Sequence, residues 1–178
     1  KLWQQCPRRW YNHYVRGLDE GKDKGYTLFG TLIGDFLDHW HVPGGFQGTD
    51  EQEVELFKQK WPVEMDTNKR TQEMGVKLIE LYPQRYEKDK EPFKVLEIQK
   101  DCCIPIPDMI YPLHIKIDAL VEYRKQIWVL DHKTTGSGGV KYFDKYLLNF
   151  QQTAYVKGMS TLLGKEVGGM YYNVLVAN

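Results

Sequence analysis

The sequence contains few cysteines, no long apolar run and no excess of charge of either sign. Its three cysteines among 178 residues, two of them adjacent at Cys102 and Cys103, cannot form a disulfide framework, which favours a reducing, cytoplasmic environment. No apolar stretch approaches the roughly 18 residues of a membrane-spanning helix, so no membrane partner is expected. The 24 basic and 24 acidic side chains cancel, which excludes a uniformly basic coat for nucleic acid but allows a local basic groove.

The hydrophobic spacing changes from a helical period to a strand period about halfway along the chain. Helices are predicted over residues 3–17, 28–41, 51–60, 66–88 and 147–162. Strands rich in branched and aromatic residues are predicted over 93–99, 113–122, 127–133 and 168–176. Met74, Leu78, Leu81 and Tyr82 are predicted to form the apolar stripe of the fourth helix. This order indicates an α/β or α+β sheet with helices on its faces, and the length indicates one domain over residues 1–178.

Two aspartates are predicted to face each other across a β-hairpin. If Arg124 and Lys125 form its two-residue turn, counting back along both strands places Asp118 opposite Asp131, with Cβ atoms about 5 Å apart. The side-chain period of two then puts Lys133 on the same face as Asp131. Two carboxylates this close repel each other unless a positive group lies between them, and a divalent metal ion or a lysine would serve.

Further polar residues extend this constellation. Gln151 and Tyr155 lie four residues apart on a predicted helix, so they share one face and could bind a phosphate or a water molecule. Glu97 is a carboxylate among apolar strand residues and is a candidate metal ligand. The alternatives are a helix face that only packs on the sheet, an exposed strand glutamate, and a salt-bridged Asp–Lys pair at a sheet edge.

The ordered segments IKID, VLDHKTT, FQQTAY and GGMYYNVL resemble the PD-(D/E)xK nuclease superfamily. The similarity is greatest to its RecB-like branch, which includes AddB-type, CRISPR-associated and phage exonucleases. The resemblance covers nearly the whole chain apart from residues 42–92, which are expected to be a mostly helical insert. It implies a restriction-endonuclease-like core, in which a mixed central sheet is flanked by helices.

The resemblance also implies a site and an activity. It assigns catalytic roles to Asp118, Asp131, Lys133, Gln151 and Tyr155. It implies that Mg²⁺ or Mn²⁺ is held by the two aspartates and by the main-chain carbonyl of His132, with Glu97 where a strand glutamate is common in the family. The expected reaction is hydrolysis of DNA phosphodiester bonds, as an exonuclease of recombination, repair or phage DNA metabolism in a bacterial or phage-infected cell.

Several basic residues are candidates for DNA contact. Arg8, Arg9 and Arg16 belong to the first predicted helix and would bind phosphates, although a solvated helix face explains them equally well. Lys116 shares the predicted face of Asp118. Besides DNA, a helicase, an annealing protein or further copies of the chain are the expected partners.

Two positions depart from the family pattern. Gly34 stands where the family usually has a metal-binding histidine, so Asp35, Asp38 or water would have to fill that place. Ile115 stands where a glycine is frequent. No cysteine follows Cys103, so the four-cysteine iron–sulfur cluster of some relatives is not expected. Two rival hypotheses remain: a DNA-binding or assembly module that kept the fold and lost turnover, and an unrelated α/β interaction domain.

Overall fold

The computed structural model describes residues 7–17, 25–43, 46, 48–86, 91–105, 110, 112–139, 141–144, 146 and 149–177. Its helices are α1 (Pro7–Trp10), continued by a wider turn over Tyr11–Val15, α2 (Gly25–Trp40), α3 (Asp50–Lys60), α4 (Gln72–Arg85), α5 (Lys141–Asp144) and α6 (Phe150–Leu163), with a 3-10 turn at Val63–Met65. Its strands are β1 (Lys94–Ile104), β2 (Leu113–Tyr123), β3 (Gln126–Thr135) and β4 (Val167–Val176). Within the described ranges, no helix is both long enough and apolar enough to cross a bilayer.

The four strands form one mixed sheet in the order β1-β2-β3-β4. Neighbouring strands β1, β2 and β3 are antiparallel, whereas β4 runs parallel to β3. A parallel neighbour requires a crossover, which the segment containing α5 and α6 provides. A mixed sheet flanked by helices is the architecture of a restriction-endonuclease-like α/β fold, and it confirms the predicted fold class.

The hairpin between β2 and β3 has the predicted turn and register. Arg124 and Lys125 both have left-handed backbone angles, with φ of 51° and 63°, as a tight two-residue hairpin turn requires. Regular pairing runs back from this turn to Ala119 opposite Leu130. Asp118 and Asp131 are therefore the next residue on each strand, at the point where the regular pairing stops.

The sheet is irregular around Asp118. On its other side, Ile98 pairs with Ala119 and Lys100 with Ile117, so Gln99 lies between these pairs, with a left-handed φ of 47°. The alternation of faces changes here, because Ile117 packs in the cluster beneath α6 whereas Ala119 packs in a different cluster. This change of face occurs at an unchanged register, and it takes Asp118 out of the regular pattern of its strand.

Apolar side chains cover both faces of the sheet. On one face, α2, α3 and α4 enclose an aromatic core in which Phe29 contacts Phe57 and Trp61 edge to face, at ring-centre distances of 5.7 and 5.3 Å. On the other face, Met159 of α6 packs on residues of β1, β2 and β3, such as Ile117. These contacts fix α2 and α6 to opposite faces of the sheet.

Helix α4 differs from its prediction. It begins only at Gln72, because the side chain of Thr71 caps it by accepting a hydrogen bond from the amide of Met74 at 3.1 Å. Its buried face contains Ile79 and Tyr82, but Leu81 is 55% exposed, so the predicted stripe was wrong at that residue. The start of the first predicted helix, residues 3–6, lies outside the described part.

Candidate functional site

A cleft of about 670 Å³ lies between α2 and the sheet. The residues that line it include Gly34, Asp35 and Asp38 from α2, Gln99 from β1, Lys116 and Asp118 from β2, and His132, Lys133 and Thr134 from β3. Three acidic and two basic side chains therefore border one opening. The irregularity at Gln99 and Asp118 forms part of its wall.

Asp118 joins β2 to β3 where their regular pairing ends. Its carboxylate Oδ2 accepts a hydrogen bond from the main-chain amide of His132 at 2.7 Å. An ionised acceptor makes a stronger hydrogen bond than a peptide carbonyl does. The side chain of Asp118 thus takes over the role of a ladder partner and fixes the start of the segment 132–133 at the cleft.

Asp131 and Lys133 form an ion pair beside the cleft. The side chain of Asp131 is 7% exposed, whereas that of Lys133 is 30% exposed and lines the cleft. The Lys133 ammonium also donates a hydrogen bond to the main-chain carbonyl of His132 at 3.3 Å. A buried carboxylate without a cation nearby would be costly, so this lysine lowers the cost of burying Asp131.

Gln151 and Tyr155 face this pair from α6. The amide nitrogen of Gln151 donates to the hydroxyl of Tyr155 at 3.0 Å. Burial raises the pKa of Tyr155, the negative charges of Asp131 and Asp118 raise it further, and Lys133 lowers it. The Tyr155 hydroxyl therefore lies within the electrostatic reach of all three charges, and the structure brings these five predicted residues together.

Two tyrosines beside Asp131 were not predicted from the sequence. Tyr172 is paired with Asp131 in the parallel register of β3 and β4. The ring of Tyr146 stacks on the ring of Tyr172, with centres 4.6 Å apart. Burial raises the pKa of each tyrosine, and the charge of Asp131 contributes to the increase in both. The two adjacent tyrosines, Tyr171 and Tyr172, in a mostly apolar strand were the sequence signal that could have indicated a polar role for Tyr172.

Asp38 carries the most perturbed carboxylate that lines the cleft. Burial raises its pKa from the ordinary 3.8 to about 6, and the charges of Asp118 and Asp35 act in the same direction. The amide nitrogen of Gln99 donates to Asp38 at 2.5 Å and opposes this increase. The Gln99 carbonyl oxygen Oε1 is itself buried and has no hydrogen-bond partner among the described residues.

Replacing Asp38 by asparagine is expected to stabilise the protein at neutral pH. Because the pKa of Asp38 is raised in the folded state, the folded state holds this proton more tightly than the unfolded chain does, and stability falls as pH rises from about 4 to about 6. The neutral amide of the variant would lack that penalty, and its carbonyl oxygen could still accept the bond from Gln99. After allowance for solvent screening of a half-buried group, we expect a gain of about 1–2 kcal/mol above pH 6, with little gain near pH 4.

Thermal unfolding of Asp38→Asn at about pH 7.5 and pH 4.5, in a chelating buffer, measures this gain. Asp35→Asn is the matched control, because Asp35 lines the same cleft but forms a half-exposed ion pair with Lys60 at 3.6 Å. Its free energy of unfolding should change by less than about 1 kcal/mol. Equal gains for Asp38→Asn at both pH values would contradict the assigned cause.

Some predicted residues are not brought to the cleft. Glu97 is about half exposed and accepts two bonds from the ammonium of Lys100, at 2.8 and 2.6 Å, while Gln99 lines the cleft instead. Lys116 does border the cleft, with an exposed side chain. Arg8 and Arg16 have exposed side chains on the first helical segment, and the side chain of Arg9 lies outside the described part.

The donors present fit a hard divalent cation. Over the described ranges, no group of three or more His, Cys, Asp or Glu side chains is arranged to hold a metal ion. Carboxylates and carbonyl oxygens suit Mg²⁺ or Mn²⁺, however, and Asp118, Asp131 and the carbonyl of His132 supply them within one hairpin. Burial is the main cause of the raised pKa of Asp38, but the charges of Asp118 and Asp35 add to it, so the cleft concentrates negative charge that a cation would relieve.

Comparison with known proteins gives one family match. Residues 1–176 match the family model described as the PD-(D/E)XK nuclease superfamily. No curated protein sequence matches the chain significantly.

Proposed function

The chain belongs to the PD-(D/E)XK nuclease superfamily, and we propose that its cleft hydrolyses the phosphodiester bonds of DNA with the help of a divalent metal ion. One observation carries this proposal: Asp118, Asp131 and Lys133 meet at the end of the hairpin pairing, beside an open cleft. A purely structural ion pair would not require the neighbouring acidic groups, whose charges add to the effect of burial in raising the pKa of Asp38.

The metal ion, Mg²⁺ or Mn²⁺, would be held by Asp118, Asp131 and the main-chain carbonyl of His132. When bound, it would polarise a phosphate oxygen and make a water molecule more acidic. Asp38 is a candidate to complete the set, because Gly34 supplies no ligand and Asp38 lines the same cleft as Asp118. Glu97 is the weaker candidate, because Lys100 already binds its carboxylate.

Lys133 has two roles in this proposal. Its ammonium holds the Asp131 carboxylate and the His132 carbonyl in place, and it borders the cleft where a phosphate would bind. There it would orient the attacking water and stabilise the negative charge that develops on the phosphate. Gln151 and Tyr155 supply further polar hydrogens, and the charge of Asp131 acts on the Tyr155 hydroxyl, so these groups would position the water or the DNA strand.

We further propose an exonuclease of the RecB-like branch that acts in recombination, repair or phage DNA metabolism. The basis is the sequence resemblance of the motifs around these residues. Arg8, Arg9, Arg16 and Lys116 are proposed to contact DNA phosphates. A helicase, an annealing protein or further copies of the chain are the proposed partners.

A second candidate function is a DNA-binding module without turnover. Gly34 favours it, because a Cβ atom at this position would meet no atom within 4 Å, so the cleft has open space where the family usually has a ligand. This candidate shares the fold and the DNA surface but predicts no cleavage.

A cleavage assay on four DNA substrates tests the main proposal. Linear and circular DNA, each single- and double-stranded, would be incubated with the protein in Mg²⁺, in Mn²⁺ and in EDTA. We expect metal-dependent cleavage of the linear forms, none in EDTA, and none with Asp131→Ala in any buffer. Cleavage of the circles would contradict the exonuclease assignment alone.

The same assay separates the two candidate functions. Absence of cleavage in both metals, together with DNA binding and a rise of the melting temperature on metal addition, would support the binding module. Gly34→His would then test whether the missing ligand is the cause. Cleavage that survives in Asp131→Ala would overturn the proposed site.

A further inference from the structure

The side chain of His132 is held by a buried chain of hydrogen bonds on the α2 side of the sheet. Its ring stacks on the ring of His41, with centres 5.2 Å apart and planes 12° from parallel. Its Nδ1 atom lies 3.1 Å from the amide nitrogen of Asn173 on β4. His132 also lines the cleft, so this ring connects the buried chain with the candidate site.

The hydrogen bonds of His41 and Glu91, at the far end of this network, fix the positions of the shared hydrogens. His41 Nδ1 lies 2.8 Å from the carbonyl of Leu37, which can only accept, so Nδ1 carries a hydrogen. His41 Nε2 lies 2.9 Å from Oε1 of Glu91, whose side chain is 7% exposed. The two side chains form a buried pair, and the Tyr82 hydroxyl donates to the same oxygen of Glu91 at 3.1 Å.

The hydrogen bond from Tyr82 to Glu91 also decides the direction of the hydrogen bonds at the His132 end. Because the Tyr82 hydrogen points to Glu91, the Tyr82 oxygen must accept from its other neighbour, the amide nitrogen of Asn173 at 2.7 Å. The side-chain amide of Asn173 is thereby oriented, and the same nitrogen faces His132 Nδ1. An amide nitrogen only donates, so Nδ1 accepts and the ring hydrogen of His132 is on Nε2.

Nε2 is the ring nitrogen of His132 that the buried chain of hydrogen bonds does not use. It has no protein hydrogen-bond partner within the described ranges, and it is not among the fully buried unpartnered atoms there, which are Trp40 Nε1 and Gln99 Oε1. Among those same residues, His132 lines the cleft together with Asp118 and Lys133. The Nε2–H group is therefore the donor of this ring that remains for a ligand in the cleft.

We propose that the Nε2–H group of His132 donates a hydrogen bond to a phosphate oxygen of the DNA strand in the cleft, and that Asn173 is the positioning residue that fixes this ring. The proposal rests on the proposed function, since it identifies a substrate contact of the same cleft. His132 would then serve the site twice, through its main-chain carbonyl and through its ring. A neutral donor binds a phosphate oxygen without competing with the metal ion for the carboxylates.

The first test is DNA binding in EDTA, where no cleavage occurs. The probe is a fluorescent oligonucleotide of about twenty nucleotides, titrated at several salt concentrations. His132→Ala removes the ring and keeps the carbonyl, and we expect about tenfold weaker binding, as for the loss of one hydrogen bond to a charged group. The slope of log affinity against log salt should stay unchanged, because a neutral contact releases no counterion.

Three further variants make the test specific. His132→Gln offers an amide hydrogen at similar reach and should restore most of the affinity. Asn173→Ala should weaken binding by a smaller factor, because the ring remains but is no longer held. His114→Ala is the matched control, since His114 is an exposed histidine of β2 that pairs with Asp101 outside the cleft, and its affinity should equal that of wild type.

Nitrogen NMR of the metal-free wild type gives a readout that folding defects cannot imitate. The ring of His132 should show a hydrogen on Nε2 and none on Nδ1, and DNA should shift the Nε2 signal. A hydrogen on Nδ1, or wild-type affinity in a folded His132→Ala protein, would overturn the inference. If wild type binds DNA through this ring but cuts none in either metal, the cleavage proposal fails and the contact stands.

Discussion

Lys133→Met will reduce the rate of DNA cleavage by about 10²–10⁴-fold, the range measured when a catalytic acid, base or charge-stabilising donor is removed. The methionine keeps most of the side-chain volume but removes the charge that contacts Asp131 and the carbonyl of His132. Binding of DNA in EDTA should weaken far less than the rate, because one phosphate contact is a small part of the total. Single-turnover cleavage rates and oligonucleotide titrations measure the two effects separately.

Lys133→Met should also lower the melting temperature, and a metal ion should restore part of the loss. Asp131 is almost fully buried, and the variant removes its cationic partner. Lys77→Met is the control, because Lys77 forms an exposed ion pair with Glu73 on α4 and should change neither activity nor stability appreciably. A Lys133→Met protein that cuts DNA at the wild-type rate would refute the role of this lysine.

Replacing two helical glycines by alanine is expected to change the free energy of unfolding in opposite directions. A Cβ atom at Gly75 would overlap the ring of Phe57, which is 3% exposed and packed against Phe29. Because the ring is buried and would have to move out of its packed position, Gly75→Ala should lower the free energy of unfolding by about 1–3 kcal/mol. A Cβ atom at Gly34, inside α2, would meet no atom within 4 Å. Gly34→Ala should therefore raise the free energy of unfolding by about 0.5–1 kcal/mol.

Denaturant titration of both variants measures these changes directly. Each substitution adds the same methyl group inside a helix, so the difference between them reports the surroundings and not the residue type. A stabilised Gly75→Ala protein would mean that α3 and α4 are packed less tightly than described.

The hairpin and its acidic residues were predictable because the signals are local. The turn at Arg124 and Lys125, the alternation of the flanking strands and the segment from Asp131 to Lys133 lie within a short stretch of chain. Register follows from turn length, so the relation between Asp118 and Asp131 could be counted. The face of α6 that carries Gln151 and Tyr155 followed likewise from helical spacing.

The parts that the sequence did not reveal depend on contacts between distant segments. The irregularity at Gln99 breaks the period of two, and no strand pattern marks the residue at which it occurs. The hydrogen bonds from Glu91 through Tyr82 and Asn173 to His132 join α4, β3, β4 and the short segment before β1. Leu81 was misplaced because a stripe predicts an apolar face but not which helices are there to cover it.

The order of the strands along the chain also sets the order in which the cleft can form. The antiparallel hairpin of β2 and β3 needs only neighbouring residues to close, whereas the parallel strand β4 must wait for the crossover helix. During synthesis on the ribosome, the segment with both aspartates and Lys133 emerges well before Asn173. Until β4 docks, the nascent chain has the charges of the cleft but lacks Asn173, which holds the ring of His132. The proposed DNA contact of this ring can therefore form only at the last step of folding.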